Sequence, residues 1–398
     1  MLEGRPARRG SAGVRPVKLG VIGLGAVAQA VHLPLLRKRP DLFDPVAVCD
    51  VSPSACDRIG DRLRLPRSRR FRSAADLIEA GGIDAVCVLT AGSHGALAAD
   101  AARAGLAVFC EKPLAYSLAE ADALAALAPR LQLGYMKLYD PAVERARELL
   151  AARPAPRAVE VTVLHPSPAS QLVHAAVPPA ANDVDASVLD RLTADEQAAT
   201  VRALGDAPPT VARLYTDVLL GSIVHDLAVI RYLLGGTLVV EHADAWPDGD
   251  EPQSVSLAGV LRDGIRVSIG WHYLERYPAY REEVRVHDEL GTVALAFPSP
   301  YLLNAPTVLT VVGSEDGGEQ VAQYRSTVEA FEEQWLAFAD YLLEGVPPRA
   351  GIAEGRADVV ACESAAAMLA ARRGVILRGE TNPNPVVNPQ SAERKGAL

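Results

Sequence analysis

From residue 17 onward, short apolar runs alternate with segments whose apolar positions recur every three or four residues. "VKLGVIGLG" is apolar and ends in glycines. "AVAQAVHLPLLRKR" behind it has helical spacing up to Pro34, where the missing amide predicts an end or a kink. "PVAVCD", "DAVCVLT", "AVFCEKP" and "LQLGYM" are further runs of strand length, with "AADLIEAGG", "HGALAADAARAG" and "SLAEADALAALAPR" between them as helices. Gly105 stands where a helix C-cap favours glycine, and Ser117 and Glu120 have the spacing of a capping box. Strands without polar alternation are buried on both faces, so the pattern predicts a parallel sheet between two helical layers.

Near residue 140 the period changes. "SVSLAGVL" and "IRVSIGWHYL" flank Asp263-Gly264, a strong hairpin signal; "REEVRVHD" and "TVALAF" flank a second turn near Gly291; "TVLTVVG" adds a strand. These segments predict an antiparallel meander, followed by helices at "TVEAFEEQWLAFADYLLEG" and "EGRADVVACESAAAMLAARRG". Residues 166–213, rich in Pro, Ala and Asp, interrupt this half. They predict a mobile excursion with one or two short helices, a lid being one reading. The expected organisation is an α/β, Rossmann-type dinucleotide-binding domain over 17–140 and an α+β domain with an open, mostly antiparallel sheet over 141–379. Disordered tails are expected at 1–16 and 380–398, from their Arg, Gly, Asn and Pro content.

A length of 398 residues suffices for two cores. The net charge of −9 argues against a phosphate-tracking nucleic-acid surface. No apolar run approaches the roughly 18–20 residues of a membrane span, and the first residues lack the apolar region of a secretory signal. Five scattered cysteines, three of them (Cys49, Cys87, Cys110) inside apolar runs, fit small buried hydrophobes in a reducing cytoplasm. The eight histidines show no metal-ligand spacing with Cys or acidic groups, so no metal is expected.

Two places carry chemistry. In "VIGLGAVAQ", Gly23-x-Gly25-x-x-Ala28 follows a strand and opens a helix. Gly23 permits the tight turn. Gly25, with Ala26 and Val27 behind it, lets the backbone approach a pyrophosphate at a helix N-terminus, and Ala28 allows close packing. The second strand ends in Asp50, 22 positions after Ala28, where a carboxylate accepts from a ribose hydroxyl and repels a 2′-phosphate. The pattern predicts NAD, with NADP disfavoured; the arginines of "RSRR" at 67–70 are the counter-signal, read as a solvated loop. "FCEKPLA" ends the fourth predicted strand at the sheet edge where ligands bind, which aims Lys112 into the cofactor crevice beside Glu111. A lysine there hydrogen-bonds a reacting oxygen and stabilises developing negative charge. Tyr135 and Lys137 leave the next strand near the same crevice and are expected to bind substrate hydroxyls.

The glycine motif, "EKPLA", "HGALAADAARAGLAVFCEKP" and "FADYLLEGVPPRAGIAEGRADVVACESAAAM" together resemble the glucose–fructose oxidoreductase / inositol dehydrogenase / MocA family over residues 16–378. The resemblance implies a nicotinamide cofactor, a sugar, cyclitol or similar hydroxyl or ketone as substrate, and dimers or tetramers formed through the flat sheet. It places Lys112 at the hydride-transfer site with Glu111 and Pro113 as neighbours, Thr90 and His94 in the cofactor loop, and His225 as catalytic histidine. It also exposes departures. The aspartate four residues before that histidine is Gly221 here, the one three residues after it is Ala228, and the arginine after the fifth strand falls at Leu138, next to Lys137.

His225 and Asp226 sit together in the apolar "LGSIVHDLAVIRYLLGG". On a helix at about 100° per residue, Ile223, Leu227, Ile230 and Leu234 form one stripe and His225 points away from it. Without the family, a structural histidine bonded to a carbonyl and an aspartate at a helix N-terminus explain the pair. With it, His225 is the acid/base. Asp226 then either replaces the missing carboxylate or leaves the set as Lys112 and His225. Three functions follow from these residues: an NAD(P)-dependent oxidoreductase of a sugar, cyclitol or glycoside hydroxyl; a redox-assisted glycoside cleavage or elimination that keeps its NAD; and a non-catalytic dinucleotide sensor or scaffold.

Overall fold

Six buried strands with helices between them close the first half of the chain. They are β1 (Val17–Ile22), β2 (Phe43–Cys49), β3 (Arg70–Phe71), β4 (Ala85–Val88), β5 (Ala107–Glu111) and β6 (Leu131–Gly134), all parallel, in the order 3-2-1-4-5-6. The strand order reverses between β1 and β4, which opens a crevice at their carboxyl ends. This computed structural model describes residues 15–167, 177–178, 182–249 and 253–380. The expected tails at 1–16 and 380–398 lie almost wholly outside the described residues, and the 166–213 excursion does in part.

Two local expectations are corrected. The helix after the glycine loop does not end at Pro34: a π-helical stretch, Ala28–His32, leads into an α-helix Leu33–Lys38 with proline in its first turn. The widened turn shifts the hydrogen-bond ladder just where the proline has no N–H to give. Of the arginines at 67–70, Arg67 is exposed as a solvated loop requires, but Arg69 and Arg70 are not. Arg69 donates to the carbonyls of Val46 and Gly81, and Arg70 to that of Leu65 and to Asp57 and Asp61, which pins the two-residue strand β3.

The second sheet has eight strands: β7 (Ala158–His165), β8 (Val239–Trp246), β9 (Ser254–Val260), β10 (Arg266–Tyr273), β11 (Arg281–Asp288), β12 (Gly291–Phe297), β13 (Val308–Glu315) and β14 (Gly318–Arg325). Their order is 14-13-12-11-7-10-9-8. The meander is real except at its centre, where β7 pairs parallel to β10 and antiparallel to β11. The β9–β10 turn places Asp263 and Gly264 both at positive φ, 61° and 77°, as an Asp-Gly hairpin requires. Alternation gives the sheet one inner face, with Val159, Val161 and Val163 buried while Glu160 and Thr162 face outward.

The helix Ala330–Glu344, assigned by position to the second domain, returns to the first. Its Phe331, Trp335 and Phe338 are buried with Phe43 and Phe109, the Phe109 and Trp335 rings stacked at 4.2 Å. The last helix, Ile352–Arg372, packs against β8 and the helix Leu118–Ala125. Glu363 lies buried in it, and burial with Glu380 nearby pushes its carboxyl up to about 8 against the pull of Arg356. A carboxyl raised on folding contributes stability that is full below its unfolded value and lost as pH rises through the folded one. Glu363→Gln should therefore leave stability near pH 5 little changed and raise it by roughly 4–5 kcal/mol above about pH 8. Urea unfolding at the two pH values measures this, and an unchanged pH slope would contradict it.

Candidate active site

The glycine loop is shaped by what surrounds it. Gly23 has φ +91°, and a Cβ there would come within 2.6 Å of the Thr90 backbone nitrogen, so only glycine fits. A Cβ on Gly25 would meet nothing within 4 Å, leaving open space over the following helix start. Ala28 is fully buried, as close packing demands. The Asp50 carboxylate accepts from the Leu24 amide at 2.7 Å and the Ser52 amide at 2.9 Å, which ties the end of β2 to the loop. Thr90 Oγ1 is buried with no hydrogen bond among the described residues. Open space beside free backbone, an orphaned hydroxyl and a carboxylate at the end of β2 fit a dinucleotide.

His94 joins this loop to the one that carries Lys112. Its Nδ1 faces the Pro113 carbonyl at 2.6 Å and its Nε2 the Thr90 carbonyl at 2.9 Å. Burial pushes its imidazole below the ordinary range, against the pull of both carbonyls. Glu120 does not close a capping box on Ser117. Its carboxylate accepts from Ser93 Oγ, the Ala96 amide and the Tyr116 amide, fixing the loop on which His94 stands.

Lys112 follows β5, and the Lys112–Pro113 bond is cis. Its neighbour Glu111 is held from below. The Trp335 indole N–H donates to His32 Nδ1 at 3.1 Å, so the His32 proton sits on Nε2 and donates to Glu111 Oε1 at 3.1 Å. Burial alone would raise the Glu111 carboxyl; the His32 bond and nearby positive charge outweigh it and hold it below the ordinary range. The Lys112 ammonium donates to the backbone carbonyl of Gly221 at 2.5 Å. Burial lowers its pKa, Lys137 adds to the effect and Glu111 opposes it.

The Gly221 carbonyl is available because of the helix it sits in. Residues 209–234 form one continuous helix, with a π-helical centre Leu214–Ile223 between α-helical Pro209–Arg213 and Val224–Leu234. π-Helical stretches recur at functional sites, where the changed ladder re-aims backbone groups. Four residues on, half-buried His225 has its imidazole pushed well below the ordinary range by burial and by the charges of Lys112 and Lys137. It is neutral at neutral pH, and its buried Nδ1 has no hydrogen bond among the described residues.

Residues 17–139 match the model of the Gfo/Idh/MocA family, an oxidoreductase family with an NAD-binding Rossmann fold. The match covers the N-terminal, glycine-loop half of the fold. The chain is 35% identical over 142 residues to inositol 2-dehydrogenase 3 of Saccharopolyspora erythraea, covering 34% of this chain and 41% of that protein. The match thus spans less than half of that relative's length. It is 27% identical over 302 residues to an inositol 2-dehydrogenase of Acidothermus cellulolyticus, covering 72% and 74% of the two. The aldose–aldose oxidoreductase of Caulobacter crescentus shares the fold, at a TM-score of 0.67 and 19% identity over 91% of this chain and 99% of that one.

The remaining candidates fall into two buried networks. Lys137 ion-pairs with both oxygens of Glu282, which also accepts from Tyr280 at 2.6 Å. Asp226 is not at a helix N-terminus, since the helix runs through it; its carboxyl is buried against Glu282 and, by burial and that like charge, lies well above the usual carboxylate range. Tyr135 turns from the crevice: its hydroxyl donates to Asp358, which also takes both ends of the Arg231 guanidinium. Only its ring meets His225, edge-on at 6.0 Å. Leu138 is buried, and its carbonyl accepts from Arg349. Sequence reasoning missed Glu282, although period-two alternation puts it on the inner face with Val284 and Val286. It missed Ser222 as well, whose hydroxyl accepts from the Trp271 indole at 3.0 Å and braces the π-helical turn against the sheet.

Proposed function

We propose that this chain is an NAD-dependent dehydrogenase or reductase acting on a secondary hydroxyl or ketone of a sugar, cyclitol or glycoside. The observation that carries it is the meeting of Lys112 with the Gly221–His225 turn at the carboxyl edge of the parallel sheet, beside the glycine loop. Bound NAD supplies the hydride acceptor for oxidation and, reduced, the donor for the reverse. Asp50 would hold the ribose hydroxyls and Gly23–Val27 the pyrophosphate, with Thr90 Oγ1 and the loop fixed by His94 along its length. Lys112 spends one of its three N–H donors on Gly221, which leaves two for the reacting oxygen. Neutral His225 accepts the hydroxyl proton in oxidation and returns it in reduction. Asp226 is read as a buried acid that fixes the Lys137–Glu282 pair, so that Lys112 and His225 form the reacting set. His165 lies 4.9 Å from Trp271 and 5.7 Å from Tyr280 on the inner face, and such aromatic faces suit the C–H faces of a sugar ring.

We read the outer face of the eight-stranded sheet, with Thr162, Ser256, Ser268 and Gly270 around a shallow depression, as the surface of a homodimer or homotetramer. The five free, buried thiols support a reducing, cytoplasmic setting. The direct test incubates the protein with NAD and a panel of cyclitols, aldoses and glycosides, and follows reduced-nicotinamide fluorescence. Stoichiometric NADH with at least one of them is expected. Product without free NADH would favour the NAD-retaining cleavage, and NAD binding without turnover on any panel member would favour the sensor.

A further inference from the structure

The described part of the 166–213 excursion is more than the short helices expected. A 19-residue helix, Ala186–Leu204, and the turn before it cross the mouth of the cofactor crevice. On one side, exposed Asp183 reaches the turn that follows Asp50. Ser52 Oγ donates to its Oδ1 at 2.7 Å, and the Ser54 amide donates to its Oδ2 at 2.8 Å. Ser52 is also the N-cap of the ten-residue helix Pro53–Arg62, and its own amide donates to Asp50. Arg72 donates to the carbonyl of Val51 between them, and its charge acts on Asp185 of the same segment. On the other side, Glu196 covers Gly92 so closely that a Cβ there would fall 1.8 Å from its Oε1.

A hydroxyl, an amide at a helix N-terminus and a guanidinium are the groups that bind a phosphate. Here they stand within four residues of the carboxylate that would hold the ribose hydroxyls, or just after the strand alongside; a carboxylate from a distant segment already occupies the hydroxyl and the amide, while the guanidinium donates to the Val51 carbonyl. We propose that Asp183 is a specificity-determining residue, whose carboxylate fills the anion position beside Asp50 and excludes a 2′-phosphate from the crevice. This rests on the crevice being a nicotinamide-dinucleotide site, and it assigns the preference for NAD to the excursion as well as to Asp50. Glu196 on Gly92 keeps the segment across the mouth, so a 2′-phosphate would have to displace Asp183 against like charge.

Calorimetric titration of the full chain with NAD and with NADP tests it. The unmodified chain should bind NAD more tightly. Asp183→Ala should shift the affinity ratio toward NADP by about tenfold or more, because it frees the donors and removes the repulsion. Asp183→Asn, which keeps an acceptor but not the charge, should give an intermediate ratio. Asp183→Ala/Ser52→Ala should lose part of the gain. If NAD binds and the ratio in both single variants equals that of the unmodified chain, the inference is wrong and the proposed function stands. If neither dinucleotide binds the unmodified chain, both fall.

Discussion

Lys112→Ala should lower turnover by two to four orders of magnitude while leaving the fold and NAD binding in place. The ammonium reaches the crevice from the end of β5, and its one hydrogen-bond partner among the described residues is the Gly221 carbonyl, on the other domain. Removing it takes a positive charge from the point where, in the proposed function, an alkoxide develops, in a site dry enough to lower the lysine's own pKa. The fold should survive because among the described residues no carboxylate bonds to the Lys112 amine, and Glu111 keeps its His32–Trp335 support. Lys112→Arg should not restore the rate, since a planar guanidinium cannot give one donor to Gly221 and a compact charge to the substrate. Steady-state kinetics with circular dichroism decides the matter: turnover within a few fold of the unmodified enzyme would remove Lys112 from the mechanism.

Lys137→Met should destabilise the protein by about 3–5 kcal/mol, the loss usual when one partner of a buried ion pair is removed. Glu282 and Asp226 are both almost fully buried and lie against each other, and Lys137 is the cation between them. The sign of the pH dependence follows. The Lys137 charge pulls the Asp226 carboxyl down, so its removal raises further a carboxyl already above its unfolded value. Stability that is present at acid pH is then lost progressively as pH rises, and the variant's deficit grows toward alkaline pH. Lys137→Met/Glu282→Gln removes both charges and should recover most of the loss, as charge-neutral replacements of buried pairs do. The same variant tests the site: with one of the two cations that depress it gone, His225 titrates higher, and the acid limb of the pH–rate profile moves up. Equal denaturant midpoints for Lys137→Met and the unmodified chain would show that the pair is not the strut described.

The two variants divide the site in the way the sequence does. Gly23, Gly25, Asp50 and Lys112 were legible because each stands at the end of an apolar strand, and strand ends on one edge of a parallel sheet converge whatever the rest of the chain does. Tyr135 and Lys137 stand in the same kind of place, yet their polar ends are taken by Asp358 and Glu282. Both lie on the short turn after β6, and their partners Asp358 and Glu282 come from 223 and 145 residues further along. No local pattern announces a partner at that distance. Glu282 itself was half legible, since alternation marks it as inward while saying nothing of what it meets there.

Period, turn chemistry and strand polarity are local physical constraints, so the parallel sheet, the glycine turn and the hairpins could be read from the residues alone. Packing set which polar groups found partners. It turned a missing carboxylate at Gly221 into a backbone carbonyl for Lys112, through a π-helical turn that apolar periodicity does not reveal. It buried Asp226 in the middle of a helix instead of at its start, and laid Asp183 across the crevice onto Ser52, 131 positions away. A buried charge is defined by its partner, and partners are set by how elements pack.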